Sequence, residues 1–181
     1  MAAVAVCGLL VLWWSLRHRR RTAEDRMLVR SIRRVSDTFL RHVIVPDGVD
    51  GYVSIDFLIL TPGGVLVLMV QNYSGILFGG ARIDYWTQML RHKSFKFDNP
   101  LPGNELRVAS IQNMVGPDTP VTGRVVFTNN GEFPKGIPEG VSMIDQLAED
   151  LADYVQAGEV SDENRGAWER LCQKLGRTVR R

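Results

Sequence analysis

The chain has 181 residues, 45% hydrophobic and 23% charged, proportions that exclude a largely disordered protein and leave room for one ordinary domain with an appendage, not for a second enzyme domain. The net charge of +2 conceals an asymmetry: residues 17–41 hold nine basic and three acidic side chains, and with none charged in residues 1–16, residues 42–181 sum to −4. A basic nucleic-acid-binding stripe across the whole domain is not supported by that balance. Cys7 and Cys172 fit no metal or redox spacing, and His18, His42 and His92 lack the helical pairing that zinc hydrolases need.

From Ala2 to Leu16 the chain is apolar apart from Ser15, and Arg17, His18, Arg19, Arg20 and Arg21 follow at once. Such a segment spans about 24 Å as a helix, short of a hydrocarbon core of roughly 30 Å. Trp13 and Trp14 suit the headgroup level, and arginine stems lengthen the effective span. A signal peptide would carry its charge before the apolar stretch and a small-residue cleavage site after it. A buried core helix would have to pack two tryptophans beside a basic run. The expectation is a transmembrane anchor with its basic flank over residues 1–21, a single-pass membrane protein with the soluble domain in the cytoplasm.

From Thr22 to Leu40, Met27, Leu28, Ile32, Val35 and Phe39 recur at helical spacing, with arginines at 26, 30, 33 and 34 on the other side. That arginine face suits anionic lipid or plain solvent. Val43 to Val45 and Tyr52 to Leu60 read as strands, and Thr61-Pro62-Gly63-Gly64 is a turn signal leading into Val65 to Val70. A loop symmetric about Pro62 and Gly63 sets Asp56 opposite Met69 on one face.

Gly75 to Phe78 suggests a further strand, Arg82 to Trp86 begins another, and Lys93 to Asp98 is short and mixed. Asn99-Pro100-Leu101-Pro102 breaks the chain before a helix carrying Leu106, Ile111 and Val115, closed by Pro117 and Pro120. Arg124 to Asn129 is a buried strand reached by crossover. Two helices end the chain, one capped by Ser142 with Leu147 and Leu151 inward, the other by Ser161 with Trp168 and Leu171 inward. The fold class is α/β, a mixed central sheet flanked by helices.

Several words in this order resemble the nuclease-related domain, or NERD domain, of the PD-(D/E)xK nuclease-like superfamily. They are Glu24 in the first helix, Ile55-Asp56, Gly64-Val65, Asn72-Tyr73-Ser74-Gly75, Trp86, Asn99-Pro100 and Val125-Val126-Phe127. The resemblance implies a restriction-endonuclease-like core over residues 22–130, with residues 131–181 as C-terminal helices packed on it. It also implies a Glu-x-Lys triplet before the Asn-Tyr-Ser-Gly word and a glutamine after Asn-Pro. Here Met69, Val70 and Gln71 occupy the triplet and Gly103 the glutamine position.

Hydrolysis at such a site uses carboxylates to hold Mg²⁺ and a lysine to assist the nucleophile. Methionine offers a soft thioether where a hard cation wants oxygen, and glutamine has no proton to exchange. Asp56 and Glu24 are then remnants of the catalytic set. Asp56 is the single candidate metal ligand, and its competing reading is a hydrogen-bonded strand aspartate. Glu24, Asp84 or Glu105 could supply a migrated carboxylate, and Lys93, Lys96 or Arg107 a migrated cation. The expectation is a membrane-anchored binding module with an inactive nuclease site and no cofactor. Its contacts are the membrane through residues 2–16 and an unidentified nucleic-acid or protein partner. The alternatives are an Mg²⁺-dependent DNA nuclease with a migrated site, or an assembly factor with no nucleic-acid role.

Overall fold

The computed structural model of the chain describes residues 24–155 and 158–176. The expected anchor, its arginine flank and the tail 177–181 lie outside the described residues. Among those described, no helix is long and apolar enough to cross a membrane.

Helix α1 covers residues 24–35, with Leu28, Ile32 and Val35 buried and Arg30, Arg33 and Arg34 exposed. It ends sooner than its periodicity suggests. Ser36, Asp37 and Thr38 favour local side-chain bonds over helix, and the Thr38 amide donates to Ser36 Oγ at 3.1 Å. Phe39, placed in the helix by spacing, instead opens strand β1 (Phe39–Pro46).

Strands β2 (Tyr52–Thr61) and β3 (Gly64–Gln71) form the hairpin. Its register is the one the turn dictates, running from Thr61 facing Gly64 to Phe57 facing Leu68. Gly64 is required as glycine: its φ is 122°, and a Cβ there would stand 2.2 Å from the Pro120 carbonyl oxygen.

The single central sheet expected from the sequence is in fact two mixed sheets. The larger has five strands in the order β1-β2-β3-β7-β9, with β7 (Val121–Phe127) and β9 (Val141–Met143) parallel to β3. The smaller runs β6-β5-β4-β8, from β4 (Gly75–Phe78), β5 (Tyr85–Leu90), β6 (Lys93–Asp98) and β8 (Gly131–Glu132). Segment 93–98 looks mixed because it is an edge strand on which Phe97, paired with Trp86, is the part-buried side chain.

The Pro-rich segment does not precede its helix but forms the first turn of α2 (Pro100–Val115). First-turn amides have no intrahelical acceptor, so proline costs nothing there, and the Asn99 side chain caps the Leu101 amide at 3.0 Å. Ser142 is likewise not a helix cap. It lies buried inside β9, and helical structure starts later in α3 (Leu147–Asp150) and α4 (Ala152–Val155). Residues after 130 thus contribute two strands as well as helices. Helix α5 (Asp162–Lys174) begins as expected, with Ser161 Oγ accepting from the Asn164 amide at 3.2 Å.

The larger sheet is covered on both faces. Val43, Val45, Ile55, Leu58, Val65 and Val67 pack with Ile111 of α2 and Trp168 and Leu171 of α5. On the other face Phe57, Ile59, Leu66 and Leu68 pack with Leu28, Ile32 and Val35 of α1 and Leu147 of α3. A third cluster, Leu77, Trp86, Val125, Phe127 and Val141, joins the two sheets.

Candidate functional site

The β2–β3 ladder stops at Phe57 and Leu68, while β2 continues backward to Tyr52 paired with β1 alone. Asp56 stands in this fork. Opposite it on β1, between the pairs Arg41–Phe57 and Val43–Ile55, His42 takes a left-handed φ of 49°. The ribbon changes face at this level: Phe39 and Phe57 point toward α1, whereas Val43 and Ile55 point toward α2 and α5.

Two side chains satisfy the backbone groups that the fork leaves open. Asp56 Oδ2 accepts from the Val70 amide at 2.8 Å, and Arg107 Nε of α2 donates to the Ser54 carbonyl at 2.7 Å. Arg107 Nη1 also donates to the Gly103 carbonyl. Asp56 is half-buried and its carboxylate serves a strand amide, the role that a hydrogen-bonded strand aspartate would play.

Beside the fork, between the end of β3, strand β6 and the start of α2, lies an open cleft of about 610 Å³. Met69 and Gln71 line it from β3, Tyr73 follows them, and Tyr85, Lys96, Phe97 and Asp98 line it from the smaller sheet. Asn99, Pro100 and Gly103 close the α2 end. Tyr73 and Phe97 stack with ring centroids 4.1 Å apart. Among the described residues, no hydrogen bond or ion pair engages the side chains of Gln71, Lys96 or Asp98. The three positions singled out in the sequence, Met69, Gln71 and Gly103, therefore share one cavity, and neither Asp56 nor Glu24 lines it.

Glu24 is engaged elsewhere. Its Oε1 accepts from Asn130 Nδ2 at 2.9 Å and its Oε2 from Asn72 Nδ2 at 3.1 Å. Asn72 Oδ1 accepts in turn from Asn130 Nδ2 and Thr128 Oγ1, each at 2.8 Å. This network fastens α1 to the ends of β3 and β7. Sequence reading missed Asn130 and Thr128, and no spacing ties them to Glu24 across more than a hundred residues. The membership of Asn72 in the Asn-Tyr-Ser-Gly word was the only signal. Of the other candidates, Lys96 reaches the cleft and Asp84 a neighbouring hollow of about 400 Å³, while Glu105 on α2 and Lys93 at the far end of β6 are exposed outside both.

The donor set does not fit Mg²⁺. Among the described residues no three His, Cys, Asp or Glu side chains gather where they could hold a metal ion. Met69, one position past the last hairpin pair, offers a thioether, which hard cations do not select.

A hairpin aspartate at a strand fork, a helix crossing to a parallel strand and an adjoining cleft together describe a mixed α/β domain. A family model for the nuclease-related domain, NERD, matches residues 20–128, more than half of the chain, and the chain belongs to that family. An uncharacterized protein of Bacillus anthracis is 27% identical over 73 residues, 40% of this chain and 34% of that protein. The matched stretch thus spans about a third of that relative's length. No solved structure matches.

Proposed function

We propose that this chain is a NERD-family binding module with a restriction-endonuclease-like core, held at a membrane by residues 2–16 with its domain on the cytoplasmic side, and that its nuclease site no longer cuts. The observation that carries the loss of catalysis is the pairing of Met69 and Gln71 in the cleft with an Asp56 carboxylate committed to the Val70 amide. The module holds a nucleic-acid end or a protein segment in the cleft, where the Gln71 amide and the Lys96 ammonium are free to bind among the described residues.

A second reading has a specific observation in its favour: Lys96 and Asp98 put a cation and a carboxylate into the same cleft, as a migrated Mg²⁺-dependent DNA nuclease would require. Calorimetric titration of the full chain in detergent with Mg²⁺ and Mn²⁺, run beside plasmid cleavage, separates the two. The expected result is neither metal binding nor cleavage in the parent, the Asp56→Ala variant or the Lys96→Ala variant. Metal binding and cleavage that disappear in either variant would establish the nuclease instead.

A further inference from the structure

The arginines of α1 are unused by the cleft. At 3.6 residues per turn Arg30, Arg33 and Arg34 fall within an arc of about 100°, opposite the buried stripe of Leu28, Ile32 and Val35. All three are exposed, and among the described residues none makes an ion pair or hydrogen bond. The two acids in the first turn of α1 are engaged elsewhere. Glu24 accepts from Asn72 and Asn130, and Asp25 pairs with Arg41 of β1. Only Asp37, beyond the end of the helix, remains nearby in sequence. The helix therefore shows solvent a cationic face with no ion-pair partner among the described residues, while both acids of its first turn clamp it to the sheet.

The position of this face in the chain selects its occupant. Seven residues, four of them arginine, separate Leu16 from Glu24. That tether spans under about 30 Å even when fully extended. The remainder of the chain, residues 42–181, sums to −4 and would be repelled by an anionic surface. We infer that the Arg30, Arg33 and Arg34 face of α1 lies on an anionic lipid surface, so that the domain sits on the bilayer in one orientation rather than swinging from a tether. This inference takes the nearness of the bilayer from the anchor proposed above, but the charge and exposure of the face do not depend on it.

The test is flotation of the full chain with phosphatidylcholine vesicles and with mixed phosphatidylcholine–phosphatidylserine vesicles, at low and high salt. The parent is compared with a triple Arg30→Gln, Arg33→Gln, Arg34→Gln variant and with a triple lysine variant. Each basic group near such a surface adds several-fold to binding, so phosphatidylserine should raise binding of the parent by at least about tenfold, and salt should erase the gain. The lysine variant should keep the gain and the glutamine variant should fall at least about tenfold below it, keeping only what the four arginines of residues 17–21 supply, with circular dichroism verifying that both fold.

A gain as large in the folded glutamine variant as in the parent would overturn the inference. So would arginine-dependent binding to duplex DNA with no gain on phosphatidylserine. Binding to neutral vesicles reports separately on residues 2–16: its absence, with the arginine-dependent gain intact, would remove the anchor and leave the face.

Discussion

The Asp56 carboxylate does the work of a strand carbonyl, because β2 has already turned away where the Val70 amide needs an acceptor. A half-buried donor left without a partner costs about 1–3 kcal/mol, so Asp56→Ala should destabilise the fold by that much in urea. Asp56→Asn keeps an oxygen acceptor and should cost well under half as much. Equal losses in the two variants would mean that the charge itself is needed, as a metal ligand would be. Another aspartate sets the hairpin tip between β1 and β2. Asp47 Oδ1 accepts from the Val49 and Gly51 amides, each at 2.9 Å, and those two bonds, Val49 first, hold its carboxyl below the ordinary carboxylate range. A depressed folded pKa stabilises the tip at pH values above the unfolded carboxylate value, and the effect is lost as pH falls through the lower folded value. Amide NMR should show Val49 and Gly51 shifting together in an acid titration whose midpoint lies below that of an unstructured aspartate. A midpoint in the ordinary range would remove the turn bonds from this account.

Among the elements, those written in a clean apolar period were legible and those set by partners were not. The β2–β3 hairpin and α5 carry their turn or cap residues in the chain, and both start where those residues say. The end of α1, the first turn of α2 and the strand β9 were misread, because each depends on a competing bond or a neighbouring strand that no local pattern displays. Ser142 looks like a cap until β7 supplies the parallel partner that makes it a strand residue. Helix α2 matters most to the site, since it carries Arg107 to the fork and Gly103 to the cleft, and its seat on β7 is Gly123. A Cβ at Gly123 would lie 2.5 Å from Val108 Cγ2 and 2.7 Å from Asn104 Nδ2 of that helix. Gly123→Ala should push α2 outward and cost about 1–3 kcal/mol in chemical denaturation. Faster exchange at the α2 amides should accompany the loss, and unchanged exchange there would place the strain elsewhere.

At the scale of the whole molecule, the cleft exists because the chain leaves the larger sheet after Gln71, builds a second sheet and returns through α2 to β7. Met69, Gln71 and Gly103 were singled out in the sequence by a resemblance alone. Their convergence on one cavity, together with Lys96 and Asp98, required the second sheet, whose short strands gave weak signals. This arrangement bears on whether the site can be restored. The paired register ends at Phe57 and Leu68, so Met69 lies one position past the last pair, in the cleft, while Asp56 turns to the Val70 amide. A double variant, Met69→Glu with Gln71→Lys, would put a carboxylate at a half-buried position and a second ammonium beside Lys96 in the cleft. The variant gives up the half-buried methionine contact and should therefore lose about 1 kcal/mol relative to the parent. If the site is remodelled, Mg²⁺ will not close the gap, because Asp56 stays with Val70 and no third ligand is at hand among the described residues. Thermal melts with and without Mg²⁺ read this directly. A melting temperature restored by Mg²⁺, with plasmid cleavage that Asp56→Ala abolishes, would show that two substitutions had silenced an otherwise intact nuclease.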